Sequence, residues 1–134
     1  MKMIMLGLIL LVTCVNAANA NYKCVITGYT DAAKDKKTEQ FERQNYAGKE
    51  FRVDRVSGLM IGRLKNSYAT LPTVIESGGK ENSFMVVTTM RRSEGVGAGA
   101  NVHVLIVSEY VDSTKKPFTY LWNSEVFTGS CINF

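Results

Sequence analysis

The chain has 134 residues, of which 46% are hydrophobic and 21% are charged, and it contains only 2 prolines. This length suits one ordinary domain, and the apolar content is too high for a disordered protein. The formal net charge is +4, and the composition includes one histidine and three cysteines. These counts leave little material for metal or nucleophile chemistry, so we expect one small domain without a cofactor or a bound metal.

The first twenty residues have the pattern of a secretory signal peptide. Lys2 precedes a short apolar run, and small residues follow at Ala18 and Ala20. The apolar run is about ten residues, well short of the roughly twenty that a membrane-spanning helix needs. We predict cleavage after Ala20, which leaves residues 21–134 as one β domain. The mature chain is then expected to be periplasmic or secreted, with no transmembrane span.

Cys14 introduces an alternative fate for this leader. The residues before it resemble the box that precedes the lipidated cysteine of bacterial lipoproteins, but Thr13 stands where that box has Gly, Ala or Ser. The alternative predicts a lipoprotein anchored at Cys14. We favour the simpler interpretation, in which Cys14 is an apolar residue of the cleaved segment.

Cleavage would leave two cysteines, Cys24 and Cys131, close to the two ends of the mature chain. An even number of cysteines in an exported protein predicts a disulfide bond. The bond would join the first strand to the last and close a loop of roughly a hundred residues, which stabilises a small domain by about 4–5 kcal/mol in the chain-entropy account.

β-branched and aromatic runs separated by turn residues dominate the mature chain, which predicts an all-β protein of about seven or eight short strands. We expect a small antiparallel β-barrel, because the disulfide places the first and last strands side by side; a β-sandwich is the alternative. Residues 38–46 form either one short helix, capped by Thr38 with Phe41 facing inward, or an irregular edge segment. The charged stretch 30–37 is expected to be a solvated loop.

Two connections are candidate partner-binding loops. Ser57 and Gly58 form a turn between two predicted strands, and Gly95, Gly97 and Gly99 alternate with small residues at a predicted hairpin tip. The three alternating glycines lack the helix and the Gly-Lys-Ser/Thr ending of a phosphate loop. Loops on a stable scaffold are common places for binding residues.

Basic residues suggest a candidate positively charged surface made of Arg52, Arg55, Arg63, Arg91 and Arg92. Export and the small net charge argue against nucleic acid as the partner. An unknown protein or an anionic component of the cell envelope is the expected partner. The sequence leaves the oligomeric state open.

The sequence contains no assembled catalytic set. His103 lies between two valines in a strand that is apolar on both faces, which predicts a packed or edge histidine and a strand covered on both sides. Asp54, Glu76, Glu109 and Glu125 are scattered over different predicted strands. If two of them converged in a cleft, the protein could be a small carboxylate-dependent hydrolase.

The cysteine frame and the mid-chain turn resemble periplasmic inhibitors of c-type lysozyme. The shared features are Tyr22-Lys23-Cys24 at the start of the domain, Cys131 near its end, and the Ser57-Gly58 dipeptide. That resemblance implies a loop that blocks a glycosidase cleft, although Leu59-Met60-Ile61 follows here instead of that family's small and basic-aromatic residues. The leading expectation is an exported, non-enzymatic binding or envelope-interaction module. An inhibitor of a lysozyme-like wall hydrolase is the alternative, and a carboxylate-dependent hydrolase is a second alternative.

Overall fold

The computed structural model describes residues 21–66, 70–95 and 99–134, which form eight β-strands and one α-helix. The predicted leader, Cys14 and Gly97 lie outside the described residues. In chain order the elements are β1 (Tyr22–Asp31), α1 (Lys36–Tyr46), β2 (Glu50–Val53), β3 (Met60–Gly62), β4 (Thr73–Ser77), β5 (Phe84–Met90), β6 (Asn101–Val107), β7 (Lys116–Trp122) and β8 (Glu125–Asn133).

All eight strands belong to one antiparallel sheet, in the order β3-β2-β1-β8-β7-β6-β5-β4. The sheet curls into a half-barrel, which confirms the all-β barrel prediction over the two-sheet sandwich. Aromatic and branched side chains from alternate positions of the strands fill the concave side. The largest fully buried ones include Tyr22, Tyr29, Phe51, Phe84, Tyr120 and Phe127.

The first and last strands are neighbours in the sheet. β1 and β8 pair from Tyr22 opposite Asn133 to Asp31 opposite Glu125. Cys24 and Cys131 are direct cross-strand partners, and their sulfur atoms lie 1.98 Å apart. The structure therefore places at disulfide distance the two cysteines that the sequence predicted to pair.

The helix resolves the alternatives for residues 38–46, with two corrections. It begins earlier than expected, because Asp35 rather than Thr38 is the N-cap and accepts the backbone N–H groups of Lys37 and Thr38. Phe41 does not face inward: its side chain is 62% exposed. Tyr46, at the end of the helix, is the residue that packs against the core.

The charged stretch after Thr30 is only partly the solvated loop that its composition predicts. Asp31 is the last residue of β1 and is buried, and Lys34 forms an ion pair with it at 3.3 Å. Lys34 also donates to the Tyr29 hydroxyl and to Glu125, at 2.9 and 3.1 Å. The hydrogen bond to Tyr29 raises the pKa of the Lys34 ammonium, while burial raises the pKa of the Tyr29 hydroxyl to about 12. These groups fix the end of β1 against the start of β8.

One face of β6 is more open than its sequence predicts. The inward side chains of His103, Leu105 and Val107 are buried, as expected for a core strand. On the outward face, Val102 is 44% exposed and the two other aliphatic side chains are half-buried. Because all the described strands lie in one sheet, no second sheet covers this face.

Candidate functional site

The loop between β2 and β3, residues 54–59, is organised by one carboxylate. Asp54 Oδ1 accepts the backbone N–H groups of Val56 and Ser57, at 3.0 and 2.8 Å, and the Ser57 hydroxyl at 3.0 Å. The Ser57 N–H contributes most to holding the pKa of the Asp54 carboxyl below its usual range. The Gly58 N–H donates to the Asp54 carbonyl at 2.8 Å. The tip is therefore held in one conformation by its own hydrogen bonds.

A buried asparagine supports this loop from below. Asn66 Nδ2 donates to the Gly58 carbonyl at 2.7 Å, and Asn66 Oδ1 accepts the Met60 N–H at 2.9 Å. Gly58 has a φ of +77°, and a Cβ atom there would lie 2.8 Å from a methyl carbon of Val86. Both the backbone conformation and the contact with β5 require glycine at this position.

Arg55 is buried, which corrects its place in the predicted basic surface. Its Nη2 donates to the Ser77 carbonyl at 2.8 Å, and its guanidinium carbon lies 4.6 Å from the Tyr22 ring centroid. Phe51 and Val53 face inward in β2, and Arg55 continues that alternation past the end of the strand. Arg55 instead connects the loop to the end of β4, across the open side of the half-barrel.

The loop faces a shallow apolar groove on this open side, between β3 and β4. We call it the seam groove; it is lined by Val56, Ser57, Leu59, Leu71, Pro72, Thr73 and Val74. Val56 is 86% exposed and Leu71 is 80% exposed. No lining residue ionises, so this surface is suited to apolar contact with a partner rather than to proton transfer.

The other predicted basic residues are exposed but occupy separate elements. Arg52 lies on the outer side of β2, with its guanidinium carbon 5.0 Å from the Phe134 ring centroid. Arg63 follows β3 and covers the Tyr46 ring at 4.4 Å. Arg91 and Arg92 lie in the connection between β5 and β6. Gly95 and Gly99 belong to the same connection. The exposed arginines therefore belong to β2, to the segment after β3 and to the β5–β6 connection.

The structure also separates two of the candidate catalytic carboxylates. Glu125 begins β8 and accepts the Tyr29 hydroxyl at 2.7 Å, whereas Glu109 contacts Asn133 at the other end of that strand and accepts the Tyr22 hydroxyl at 2.5 Å. Burial raises the pKa of Tyr22, and the hydrogen bond to Glu109 adds to this effect. Eight residue steps along β8 correspond to about 26 Å, too far for a glycosidase pair.

The remaining two carboxylates hold turns. Asp54 organises the loop described above, and Glu76 Oε1 accepts the Gly78 N–H at 3.3 Å. Each oxygen that accepts these bonds stabilises local backbone geometry. The described residues also contain no group of three His, Cys, Asp or Glu side chains placed to hold a metal ion.

His103 is a packed core residue, as its sequence context predicts. Its Nδ1 lies 2.5 Å from the Tyr120 hydroxyl, which donates to the Lys65 carbonyl at 2.9 Å. Because the hydroxyl proton is used on that carbonyl, Nδ1 carries the hydrogen in this pair. Burial lowers the pKa of the imidazole. This chain of contacts ties β6 and β7 to the segment that leads from β3 towards β4.

The seam groove was not predicted as a whole. The sequence pointed to Ser57 and Gly58, but it did not place Leu71 and Pro72 beside them. An aspartate three residues before a serine is a recognisable pattern for a hydrogen-bonded turn, so the role of Asp54 could have been anticipated. Asn66 has no comparable pattern, because its two backbone partners, Met60 and Gly58, lie beyond the reach of a turn motif.

Comparisons with family models, with curated proteins and with solved structures find no match for this chain. Within the part of the chain that the structure describes, the helix is too short and too polar to cross a bilayer.

Proposed function

We propose that the protein is an exported, non-enzymatic binding module that contacts a protein partner through the seam groove. The observation that carries this proposal is the exposure of Val56 and Leu71, 86% and 80%, beside a loop with extensive hydrogen bonding. Exposed aliphatic residues gathered in one groove are a common feature of protein interaction sites.

The rigidity of the loop supports the same proposal. A binding element that is already ordered loses less conformational entropy when its partner arrives. Asp54 and Asn66 fix the backbone on both sides of Val56 without using its side chain. The groove lining carries no charge, so the expected partner surface presents aliphatic or aromatic side chains.

Photo-crosslinking tests the proposal at single-residue resolution. A photoreactive amino acid at position 56 should form one discrete adduct in a cell-envelope fraction. The matched control is position 41, because Phe41 is also an exposed apolar residue, 62% accessible, but lies on the helix. No adduct at position 56, or the same adduct at both positions, would contradict binding at the seam groove.

Export is part of the proposal and has its own test. The leader pattern in residues 1–20 and the disulfide-distance pair of Cys24 and Cys131 support it. We expect the intact mass of the protein from its native host to match an oxidised chain that begins at Asn21. A mass that includes a diacylglycerol group at Cys14 would instead favour the lipoprotein, and an uncleaved reduced chain would contradict export.

Inhibition of a lysozyme-like wall hydrolase is a second candidate function. The specific observation in its favour is the fixed Ser57-Gly58 tip, which stands beside the exposed Val56 side chain and could enter a cleft. Titrating the protein into a c-type lysozyme assay should lower turnover, and Val56→Asp should remove that effect while Phe41→Asp keeps it. An unchanged rate at micromolar excess of the protein would exclude this candidate.

A further inference from the structure

A row of side chains crosses the outer surface of the sheet from β3 to the start of β7. Arg52 of β2 lies opposite Ile61 of β3 and opposite Lys23 of β1. Lys23 in turn lies opposite Ile132 of β8, and Lys115 shares a groove with both of these residues. Cross-strand partners lie about 5 Å apart, so these five side chains are neighbours. We call them the basic row.

Exposed apolar side chains stand beside the cations of this row. Ile61 is 64% exposed, and Ile132 and the adjoining Phe134 are exposed as well. The guanidinium carbon of Arg52 lies 5.0 Å from the Phe134 ring centroid, which places this cation against an aromatic ring. Arg52 therefore lies between two exposed apolar side chains, one aliphatic and one aromatic.

Two of the three cations in the basic row keep their charge available for a partner. Lys23 pairs with Glu50 at 3.3 Å. Among the residues that the structure describes, no carboxylate forms an ion pair with Arg52 or with Lys115. The row therefore keeps two positive charges in excess after Glu50 is counted.

Acidic side chains adjoin the row near its β8 end. Glu109 and Asp112 line a groove together with Ile132. The Glu109 carboxylate accepts the Tyr22 hydroxyl, so part of its capacity is used inside the protein. The end of the row that contains Arg52 is the more positive one, and we expect a negatively charged partner to contact that end.

The shape of the surface bears on the kind of partner. The basic row lies on the convex side of the half-barrel, because the concave side holds the core. Five neighbouring strands about 4.8 Å apart make the row about 19 Å long, and it is one side chain wide. A rigid protein touches such a ridge over a small area, whereas a fluid bilayer adapts its shape to it.

The composition of the surface points to the same partner. Cations next to exposed aliphatic and aromatic side chains are typical of surfaces that bind anionic bilayers. A soluble polymer of phosphate groups would neutralise Arg52 and Lys115, but it would leave Ile61 and Phe134 in water. A bilayer offers phosphates to the cations and an apolar layer to the other two side chains.

We propose that the basic row binds the surface of a membrane that contains anionic phospholipids. Arg52 and Lys115 contact lipid phosphates, and Ile61 and Phe134 insert among the headgroups. A guanidinium donates two parallel hydrogen bonds to one phosphate, which favours arginine at the centre of the contact. Each cation close to an anionic bilayer strengthens binding about fivefold. The contact is therefore reversible, and it weakens as salt screens the charges.

Cosedimentation with vesicles tests the proposal on the oxidised protein purified from its native host. Vesicles of phosphatidylglycerol and phosphatidylcholine in equal amounts should bind the protein at low salt. Pure phosphatidylcholine vesicles should bind it at least about tenfold less, and about 1 M salt should release it from the mixed vesicles. Absence of binding to the mixed vesicles, or equal binding to both kinds, would overturn the proposal.

A pair of arginine variants tests whether the charge acts at this place. Arg52→Glu should lower the partition coefficient for the mixed vesicles at least about tenfold, because it replaces an attracted charge with a repelled one. Arg92→Glu is the matched control, since Arg92 is also exposed but lies in the connection between β5 and β6. It should change the partition coefficient by less than about threefold. Equal losses for the two variants would show an effect of overall charge and overturn the proposal.

A pair of isoleucine variants tests the apolar part of the contact. Ile61→Ser should lower the partition coefficient at least about threefold. Ile75→Ser is the control, because Ile75 is 60% exposed but lies on β4, and it should bind like the wild type. An unchanged Ile61→Ser, or a soluble polyphosphate that binds as tightly as the mixed vesicles, would assign the row to a phosphate polymer and overturn the proposal. Val56→Ala should leave vesicle binding unchanged, which separates the basic row from the seam groove.

Discussion

On one side of the half-barrel, β1 and β8 pair along their full lengths and carry the cysteine pair, whereas on the other side β3 and β4 are the two ends of the strand order. The first side is held by backbone hydrogen bonds and a covalent bond. The second side depends on side chains: Arg55 reaches the Ser77 carbonyl, and Asn66 holds the loop before β3.

The difference explains why the exposed aliphatic residues gather at the seam. In a strand pair the backbone groups hydrogen-bond to each other, and the side chains lie only on the two faces of the sheet. Where the sheet does not close, a loop and the start of a strand bring their side chains together at the surface. The seam can therefore carry a groove without loss of the barrel, while the β1–β8 side mainly supplies stability.

Removing the covalent bond should give the largest effect on stability. We expect Cys24→Ala/Cys131→Ala to lower the free energy of unfolding by about 2–5 kcal/mol, because the bond closes a long loop in the unfolded chain. Urea unfolding monitored by the fluorescence of Trp122, the single tryptophan, measures it. The wild type under reductant should unfold at the same midpoint as the double variant. Equal urea midpoints for oxidised and reduced wild type would show that the disulfide bond does not contribute to the stability of the β1–β8 pair.

Replacing Asn66, which holds the loop beside the seam groove, should have the second largest effect on stability. We expect Asn66→Ala to destabilise the protein by about 2–4 kcal/mol, because it leaves the Gly58 carbonyl and the Met60 N–H without their partner. Asn66→Asp should cost at least as much, because it would bury a carboxylate whose second oxygen faces the Gly58 carbonyl oxygen. The control is Asn45→Ala on the exposed side of the helix, which should stay within about 0.5 kcal/mol of the wild type. A neutral Asn66→Ala would mean that the loop does not need its support.

The β1–β8 side of the half-barrel could be predicted from the sequence to a greater extent than the seam groove. The strands could be predicted because alternation and β-branched residues are properties of neighbouring positions in the chain. The pairing of β1 with β8 could be predicted because a disulfide bond between Cys24 and Cys131 brings these two strands together. The N-cap was misassigned because Asp35 and Thr38 are both good capping residues, and in the structure the Thr38 hydroxyl donates to Asp35. The inward position of Arg55 follows the alternation that begins at Phe51 and Val53, so the pattern could have shown it. The seam groove depends on contacts between distant segments, which no local pattern records.

Acid should destabilise the protein through His103. Burial lowers the pKa of its imidazole in the folded state, so between the two pKa values the imidazole is protonated in the unfolded chain and neutral in the folded chain. Stability is therefore full above the unfolded pKa of about 6.5 and falls below it, by up to about 1.4 kcal/mol per pH unit. Urea midpoints between about pH 7.5 and pH 5 measure the slope.

The control for this prediction is His103→Asn, which keeps an N–H donor for the Tyr120 hydroxyl but does not titrate. It should lower stability at neutral pH and reduce the slope between pH 7.5 and pH 5. A variant with the full wild-type slope would assign the acid sensitivity to carboxylates instead.

The smallest effect on stability is expected at the seam groove itself, where two valines of the same chain segment can be compared. Val53 is 1% exposed at the end of β2, and Val56 is 86% exposed three residues later. Val53→Ala removes packed methyl groups and should cost about 2 kcal/mol, whereas Val56→Ala should change the free energy of unfolding by less than about 0.5 kcal/mol. If Val56→Ala were as damaging as Val53→Ala, the exposed valine would have a structural role. If Val56→Ala keeps its stability but no longer binds the protein that is captured by crosslinking from position 56, binding is the reason for exposing an aliphatic side chain on this loop.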